Sequence, residues 1–129
     1  MKQDPLSDAL SSINNAVQQD REYAKIEPAT ETIKQVLIQL QKLDYIGVFE
    51  LIEDGQGDQF RVEVTNNLNQ CRPIKPNFPT QVDEYDKWAK RYLPARNFGH
   101  LIVTTPKGIK THEKAIEENH GGKLLGYVY

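Results

Sequence analysis

Apolar residues recur along this 129-residue chain with two periods, that of an α-helix and that of a β-strand. In four stretches an apolar residue returns every three or four positions, which places these residues on one face of a helix. The first stretch follows Asp4-Pro5, a pair that favours a helix start because the fixed φ of proline suits the first turn. Helices are predicted from Asp4, from Thr30, over 82–92 and over 111–119.

Strands are predicted where β-branched and aromatic residues cluster between turn-forming residues. Residues 45–52 and 59–65 form the clearest pair, because Asp54-Gly55 and Gly57 between them indicate a hairpin. Shorter strands are expected at 23–26, at 68–74 with a disturbance at Pro73, at 100–105 and at 123–129. This mixture predicts an α+β fold in two small lobes. Residues 1–66 form an N-terminal helix/strand lobe, and residues 67–129 form a C-terminal β-rich lobe with a short helix.

Charge is distributed unevenly between these two halves. The net charge of the whole chain is −2, which by itself argues against nucleic acid as a partner. Residues 1–66, however, hold 6 Lys and Arg against 12 Asp and Glu, a net charge of −6, whereas residues 67–129 hold 10 against 6, a net charge of +4. The C-terminal half is therefore expected to face an anionic partner.

Several protein classes are excluded by composition. No run approaches the roughly 18 apolar residues of a membrane span, and the N-terminus lacks the apolar stretch of a secretion signal, so a cytoplasmic protein is expected. The single cysteine, Cys71, cannot form an internal disulfide, and the three histidines show no metal-ligand spacing. No membrane partner, metal, cofactor or small-molecule substrate is predicted.

The segment Thr104–Thr111 is the strongest candidate for binding. A glycine-containing turn that leads into a helix exposes backbone N–H groups to an anion. The hydroxyls of Thr104 and Thr105 suit bases and sugars, and Lys107 and Lys110 suit phosphates. The alternative is an ordinary connection in which Thr111 caps the following helix, and local physics alone favours it.

Further candidates lie elsewhere in the basic half. Gly121 and Gly122 can supply positive φ or close backbone approach, although Gly121 also suits the end of a helix. A single surface lysine or arginine is usually only solvated. The cations of this half are predicted to bind RNA because several of them occur together. The predicted RNA-binding residues are Thr104, Thr105, Lys107, Gly108, Lys110, Thr111, Gly121, Gly122, Lys123, Lys75, Arg91 and Arg96.

Short motifs are distributed along essentially the entire chain, namely Asp4–Leu6, Asp8–Leu10, Ile13–Asn15, Ile52–Gly55, Asn69–Cys71, Ile74–Pro76, Arg91–Arg96, Gly121–Gly122 and Gly126–Tyr129. These motifs resemble the universal eighth family of small-subunit ribosomal proteins. The similarity implies a structural protein, without catalysis, that binds central-domain small-subunit rRNA early in assembly and contacts neighbouring ribosomal proteins. The segment Arg91–Arg96 and the inserted helix before it, which bacterial members of the family lack, point to the archaeal and eukaryotic branch.

Three residues depart from the family pattern. Pro106 replaces the last hydroxyl of the family's Ser/Thr-rich turn, and Lys110 stands where methionine is usual. Glu31 occupies a position where the family usually has a basic residue. Binding is therefore expected to depend more on the C-terminal lobe than the family pattern implies.

Three other functions remain open. A stand-alone RNA-binding regulator of mRNA translation would use the same surface. A small hydrolase or transferase would need Cys71, His112 and Glu113 within hydrogen-bonding reach, although helical spacing turns His112 and Glu113 to different sides. A protein-binding module would use the acidic N-terminal lobe.

Overall fold

A computed structural model describes residues 4–53, 55, 58–95 and 98–129. It confirms the α+β fold, and the chain divides into two compact units, Met1–Cys71 (unit 1) and Arg72–Tyr129 (unit 2). The predicted lobe boundary at residues 66 and 67 stays a prediction. The elements are α1 Pro5–Gln18, β1 Tyr23–Ile26, α2 Glu31–Lys42, β2 Ile46–Glu53, β3 Asp58–Val64, β4 Cys71–Pro73, β5 Pro79–Thr80, a 3₁₀ turn Val82–Glu84, α3 Tyr85–Tyr92, β6 His100–Thr105, β7 Gly108–Thr111, α4 His112–Glu117 and β8 Gly122–Val128.

Unit 1 is a three-stranded antiparallel sheet in the order β1-β3-β2, against which α1 and α2 pack. Both helices begin where the sequence predicts. The Asp4 side chain accepts hydrogen bonds from the N–H groups of Leu6 and Ser7, and Thr30 Oγ1 accepts one from the N–H of Ile33 at 3.2 Å. The helix α1 contacts β1 and β3, the helix α2 contacts β2, and the two helices contact each other. The buried residues include Ile13, Leu37, Leu40, Phe60 and Val62.

One buried polar residue ties α1 to the end of unit 1. Asn14 is 4% exposed, and its Oδ1 accepts a hydrogen bond from the N–H of Cys71 at 3.0 Å. This bond satisfies a backbone donor that lies away from water, where an unpaired N–H is costly.

Unit 2 holds a five-stranded sheet in the order β4-β8-β6-β7, with β5 also paired to β8. The helix α4 packs against β6 and β7. The fully buried Tyr85 forms a hydrogen bond in which its OH donates to the His120 carbonyl at 3.0 Å. The core comprises Ile74, Tyr85, Trp88, Leu101, Val103, Ala115 and Leu124.

Two strands of unit 2 do not follow from the sequence. No strand is predicted at the residues of β5, and those of β7 were expected to form a turn. The strand predicted at 68–74 is also shorter, because only Cys71–Pro73 pairs with the sheet. No helix in the described part of the chain is long and apolar enough to cross a membrane.

Candidate nucleic-acid interface

The segment 104–111 is a β-hairpin and not a turn that leads into a helix. β6 and β7 pair antiparallel, with Thr105 opposite Gly108, so that only Pro106 and Lys107 form the turn. Thr105 Oγ1 fastens this turn by donating to the Gly108 carbonyl at 2.8 Å and by accepting from the N–H of Lys107 at 3.1 Å. Gly108 has φ of +115°, which favours glycine. The expected turn that leads directly into a helix is therefore wrong, since residues 108–111 pair with β6, whereas the binding role of these residues stays a prediction.

The strand β8, which pairs with the other edge of β6, also contributes residues to the candidate interface. Thr104 lies opposite Ile109 of β7 and opposite Lys123 of β8. Thr104 is half-buried, whereas Lys107, Gly108 and Lys123 are exposed. These four residues, together with Pro106, form one end of the sheet, which we call the hairpin end.

Gly121 and Gly122 lie so close to the backbone of neighbouring strands that a side chain would not fit at either position. A Cβ on Gly122 would overlap the carbonyl oxygen of Thr104, and a Cβ on Gly121 would lie 2.9 Å from the carbonyl oxygen of Thr80. Neither glycine has a positive φ. The positive φ that ends α4 belongs to Asn119, at +62°, so the role expected of Gly121 as the helix stop is wrong.

Two predicted site residues serve the fold of unit 2 itself. The buried Thr111 caps α4, since its Oγ1 accepts a hydrogen bond from the N–H of Lys114 at 3.3 Å. The ammonium group of Lys110 forms an ion pair with Glu118, and the Lys110 side chain is only 16% exposed. The local alternative, in which Thr111 is an N-cap, is thus what the structure contains.

The remaining predicted cations lie on other elements. Lys75 is exposed and follows β4. Arg91 is exposed on α3, and its guanidinium lies over the rings of Trp88 and Tyr92, at 5.6 and 5.8 Å from their centroids. Arg96 lies outside the described residues.

Six aromatic rings of unit 2 form a continuous row, which the sequence did not reveal. The row runs from Phe78 through Trp88, Tyr92, Tyr127 and Tyr129 to Phe98, with neighbouring centroids 4.8 to 6.3 Å apart. Trp88 is 8% exposed, whereas Phe98 at the far end is 48% exposed. The spacing of Trp88 with Tyr92 on a helix, and of Tyr127 with Tyr129 on a strand, was the available signal.

His112 and Glu113 lie close together, contrary to the helical-spacing prediction. Glu113 Oε1 accepts a hydrogen bond from His100 Nδ1 at 2.8 Å and lies 3.2 Å from His112 Nδ1. That nitrogen accepts the N–H of Leu101 at 3.1 Å, and burial lowers the pKa of His112, so this ring is neutral and carries its proton on Nε2. Burial tends to raise the pKa of Glu113, but the His100 hydrogen bond and the two histidines together hold it below its usual range.

Nucleophilic chemistry at Cys71 is not supported by its surroundings. The thiol is fully buried, and burial raises its pKa to about 12, so the reactive thiolate is scarce at neutral pH. Within the described ranges, no group of three or more His, Cys, Asp or Glu side chains is arranged to hold a metal ion. The site is therefore best considered as a binding surface.

Comparison with known proteins decides the family. Residues 4–129 match the family model described as Ribosomal protein S8. The chain belongs to the ribosomal protein S8 family. The small ribosomal subunit protein uS8 of Methanococcoides burtonii is 45% identical over 126 residues, an alignment that covers 98% of this chain and 97% of the relative.

Membership of the ribosomal protein S8 family confirms the resemblance read from the sequence motifs, and the similarity to Methanococcoides fits the archaeal branch. The protein is a structural component of the small ribosomal subunit in the cytoplasm, and it is not an enzyme. Its partners are the RNA and other proteins of that subunit.

Proposed function

We propose that the protein binds central-domain rRNA of the small subunit through the hairpin end and so supports early assembly of the subunit. The observation that carries this proposal is that two exposed lysines, Lys107 and Lys123, lie at one end of the sheet, with Lys123 opposite Thr104 in the strand pairing. The surrounding half of the chain is the basic one, with a net charge of +4 over residues 67–129.

Each residue of the hairpin end has a distinct role in this proposal. The ammonium groups of Lys107 and Lys123 neutralise phosphates, which provides affinity but little sequence selection. The Thr104 hydroxyl donates to or accepts from unpaired base edges and 2′-hydroxyls, because the major groove of regular A-form RNA is too narrow to read. Gly108 carries no side chain, so an RNA backbone can approach the turn closely.

Unit 1 takes a different part in the proposal. Its acidic surface faces solvent or basic neighbouring ribosomal proteins, and Val48 and Leu51 on β2 are exposed at 68% and 48%. Glu31, which replaces the usual basic residue of the family, accepts a hydrogen bond from Gln35 Nε2 at 2.9 Å. An RNA contact from this position is therefore not part of the proposal.

The test is the joint replacement of Lys107 and Lys123 by alanine. Binding to a central-domain rRNA fragment should weaken roughly tenfold, and the dependence of log affinity on log salt should become shallower by about two, one unit for each phosphate that is no longer neutralised. Filter binding or calorimetry at several salt concentrations measures both quantities. Lys110 is left in place because its ion pair with Glu118 would confuse a loss of binding with a loss of folding.

The matched control replaces two exposed lysines of unit 1, Lys34 and Lys42 of α2, by alanine. This variant loses the same formal charge and should bind the fragment as the original chain does. Equal effects of the two double variants, or no effect of either, would contradict the proposal. Crosslinking to mRNA alone, without rRNA, would favour the stand-alone regulator instead.

A further inference from the structure

A cleft of about 410 Å³ lies in unit 2, away from the residues of the hairpin end. Its walls come from α3 with the chain that follows it, from Gly99 and from α4. The volume falls within the range of roughly 300–1,000 Å³ that is usual for small-ligand sites. Apolar walls are provided by Ala89, Leu93 and Ile116, of which Ile116 is 39% exposed.

Polar groups of both kinds line the same cleft. Asp86 and Glu113 contribute carboxylates, and Lys90 contributes an ammonium group. His112 is 7% exposed and also lines the cleft, with Nδ1 occupied by the N–H of Leu101. Across the described part of the chain, the Nε2–H of His112 has no hydrogen-bond partner, so a donor on a residue that lines the cleft is left for a ligand.

The second carboxylate oxygen of Glu113, Oε2, is a further polar group that a ligand in the cleft can contact. Oε1 accepts the hydrogen bond from His100, which fixes the carboxylate, and the pKa of Glu113 is held low. No other side chain within the described residues forms a hydrogen bond or an ion pair with Oε2. The cleft therefore offers a positioned anionic acceptor, a neutral donor and a cation between apolar walls.

We propose that this cleft receives an unpaired guanine base of the bound rRNA, an inference that rests on the proposed function. Guanine presents N–H donors that a carboxylate accepts, together with O6 and N7 acceptors that suit His112 Nε2–H and Lys90. The apolar walls sandwich the ring, as proteins commonly do with bases turned out of the stack.

The same chemistry disfavours a basic side chain from a neighbouring protein. An arginine side chain also donates to carboxylates, but it has no acceptor, so His112 Nε2–H would stay unpaired and Lys90 would repel it. The exposed cations of α3, Lys87, Lys90 and Arg91, further favour a strand of phosphates beside the cleft.

The experiment is an NMR titration of the full chain with guanosine 5′-monophosphate (GMP), with adenosine 5′-monophosphate (AMP) and with N-acetylarginine amide. We expect GMP to shift the resonances of Ile116 and of the His112 ring, with an affinity about tenfold higher than that of AMP. Glu113→Gln should weaken GMP binding about tenfold and leave AMP binding nearly unchanged. The control is Glu117→Gln on the same helix, whose side chain is 71% exposed and does not line the cleft.

Equal binding of GMP and AMP, or an unchanged GMP affinity in Glu113→Gln, would overturn the proposal. So would preferential binding of the arginine amide in the cleft, which would assign it to a protein partner. Binding of the rRNA fragment without any capture of GMP would overturn the guanine site and leave the proposed function intact. Capture of GMP without binding of the fragment would support the site and overturn the proposed function.

Discussion

Replacing Gly122 by alanine is expected to lower the free energy of unfolding by about 3 kcal/mol and the melting temperature by about 10 °C. The new Cβ would overlap the carbonyl oxygen of Thr104, a backbone atom held in place by pairing of β6 with both β7 and β8. Relief requires the strands to separate, so the sheet loses hydrogen bonds. Thermal and urea unfolding followed by circular dichroism measure the effect.

Gly47→Ala is the matched control for this prediction. A Cβ there would overlap the Glu63 carboxylate, which is the mobile end of an exposed side chain and not backbone. Rotation of Glu63 removes the conflict, so the cost should stay below about 1 kcal/mol. A Gly122 variant no less stable than the Gly47 variant would show that the two strands have room to move apart.

Replacing Trp88 by alanine is expected to cost about 4 kcal/mol of stability, the largest effect of any single substitution considered for this protein. The ring lies between Phe78 and Tyr92 in the aromatic row, with centroids at 4.8 and 6.3 Å, and belongs to the core of unit 2. Its removal leaves a cavity that the flanking rings cannot fill. Because the chain has one tryptophan, unfolding must be followed by circular dichroism and not by tryptophan fluorescence.

Phe98→Ala provides the comparison within the same row. Phe98 is 48% exposed and contacts Tyr129 at a centroid distance of 6.0 Å, so its loss should cost about 1 kcal/mol or less. Similar losses from the two substitutions would mean that the row acts as a single unit and that burial does not set its energetics.

Local signals predicted the elements whose determinants are neighbours in sequence. The starts of α1 and α2 were found because the capping groups of Asp4 and Thr30 lie two or three residues from the N–H groups that they bind. The hairpin of β2 with β3 was found from its alternation and turn residues. The strand β7 was missed because its four residues acquire strand character only through pairing with β6 and because they run directly into a helix cap.

The candidate site was predictable in charge but not in detail. The sequence indicated that the cations of residues 67–129 contribute to binding. It did not indicate that the Lys110 side chain is largely buried, because that burial depends on an ion pair with Glu118 at the end of α4. Helical spacing likewise misplaced Glu113, because its side chain reaches His100 on a neighbouring strand. Contacts of this kind arise from packing and leave no periodic pattern in the chain.

Thr105 Oγ1 forms two hydrogen bonds across the Pro106–Lys107 turn, and these bonds hold the turn in one conformation before any RNA binds. A recognition loop that is preorganised loses little conformational entropy on association, so more of the interaction energy remains as affinity. Under the proposed function, the conformational change on binding would therefore occur mainly in the RNA, whose irregular helix would adapt to the shape of the protein.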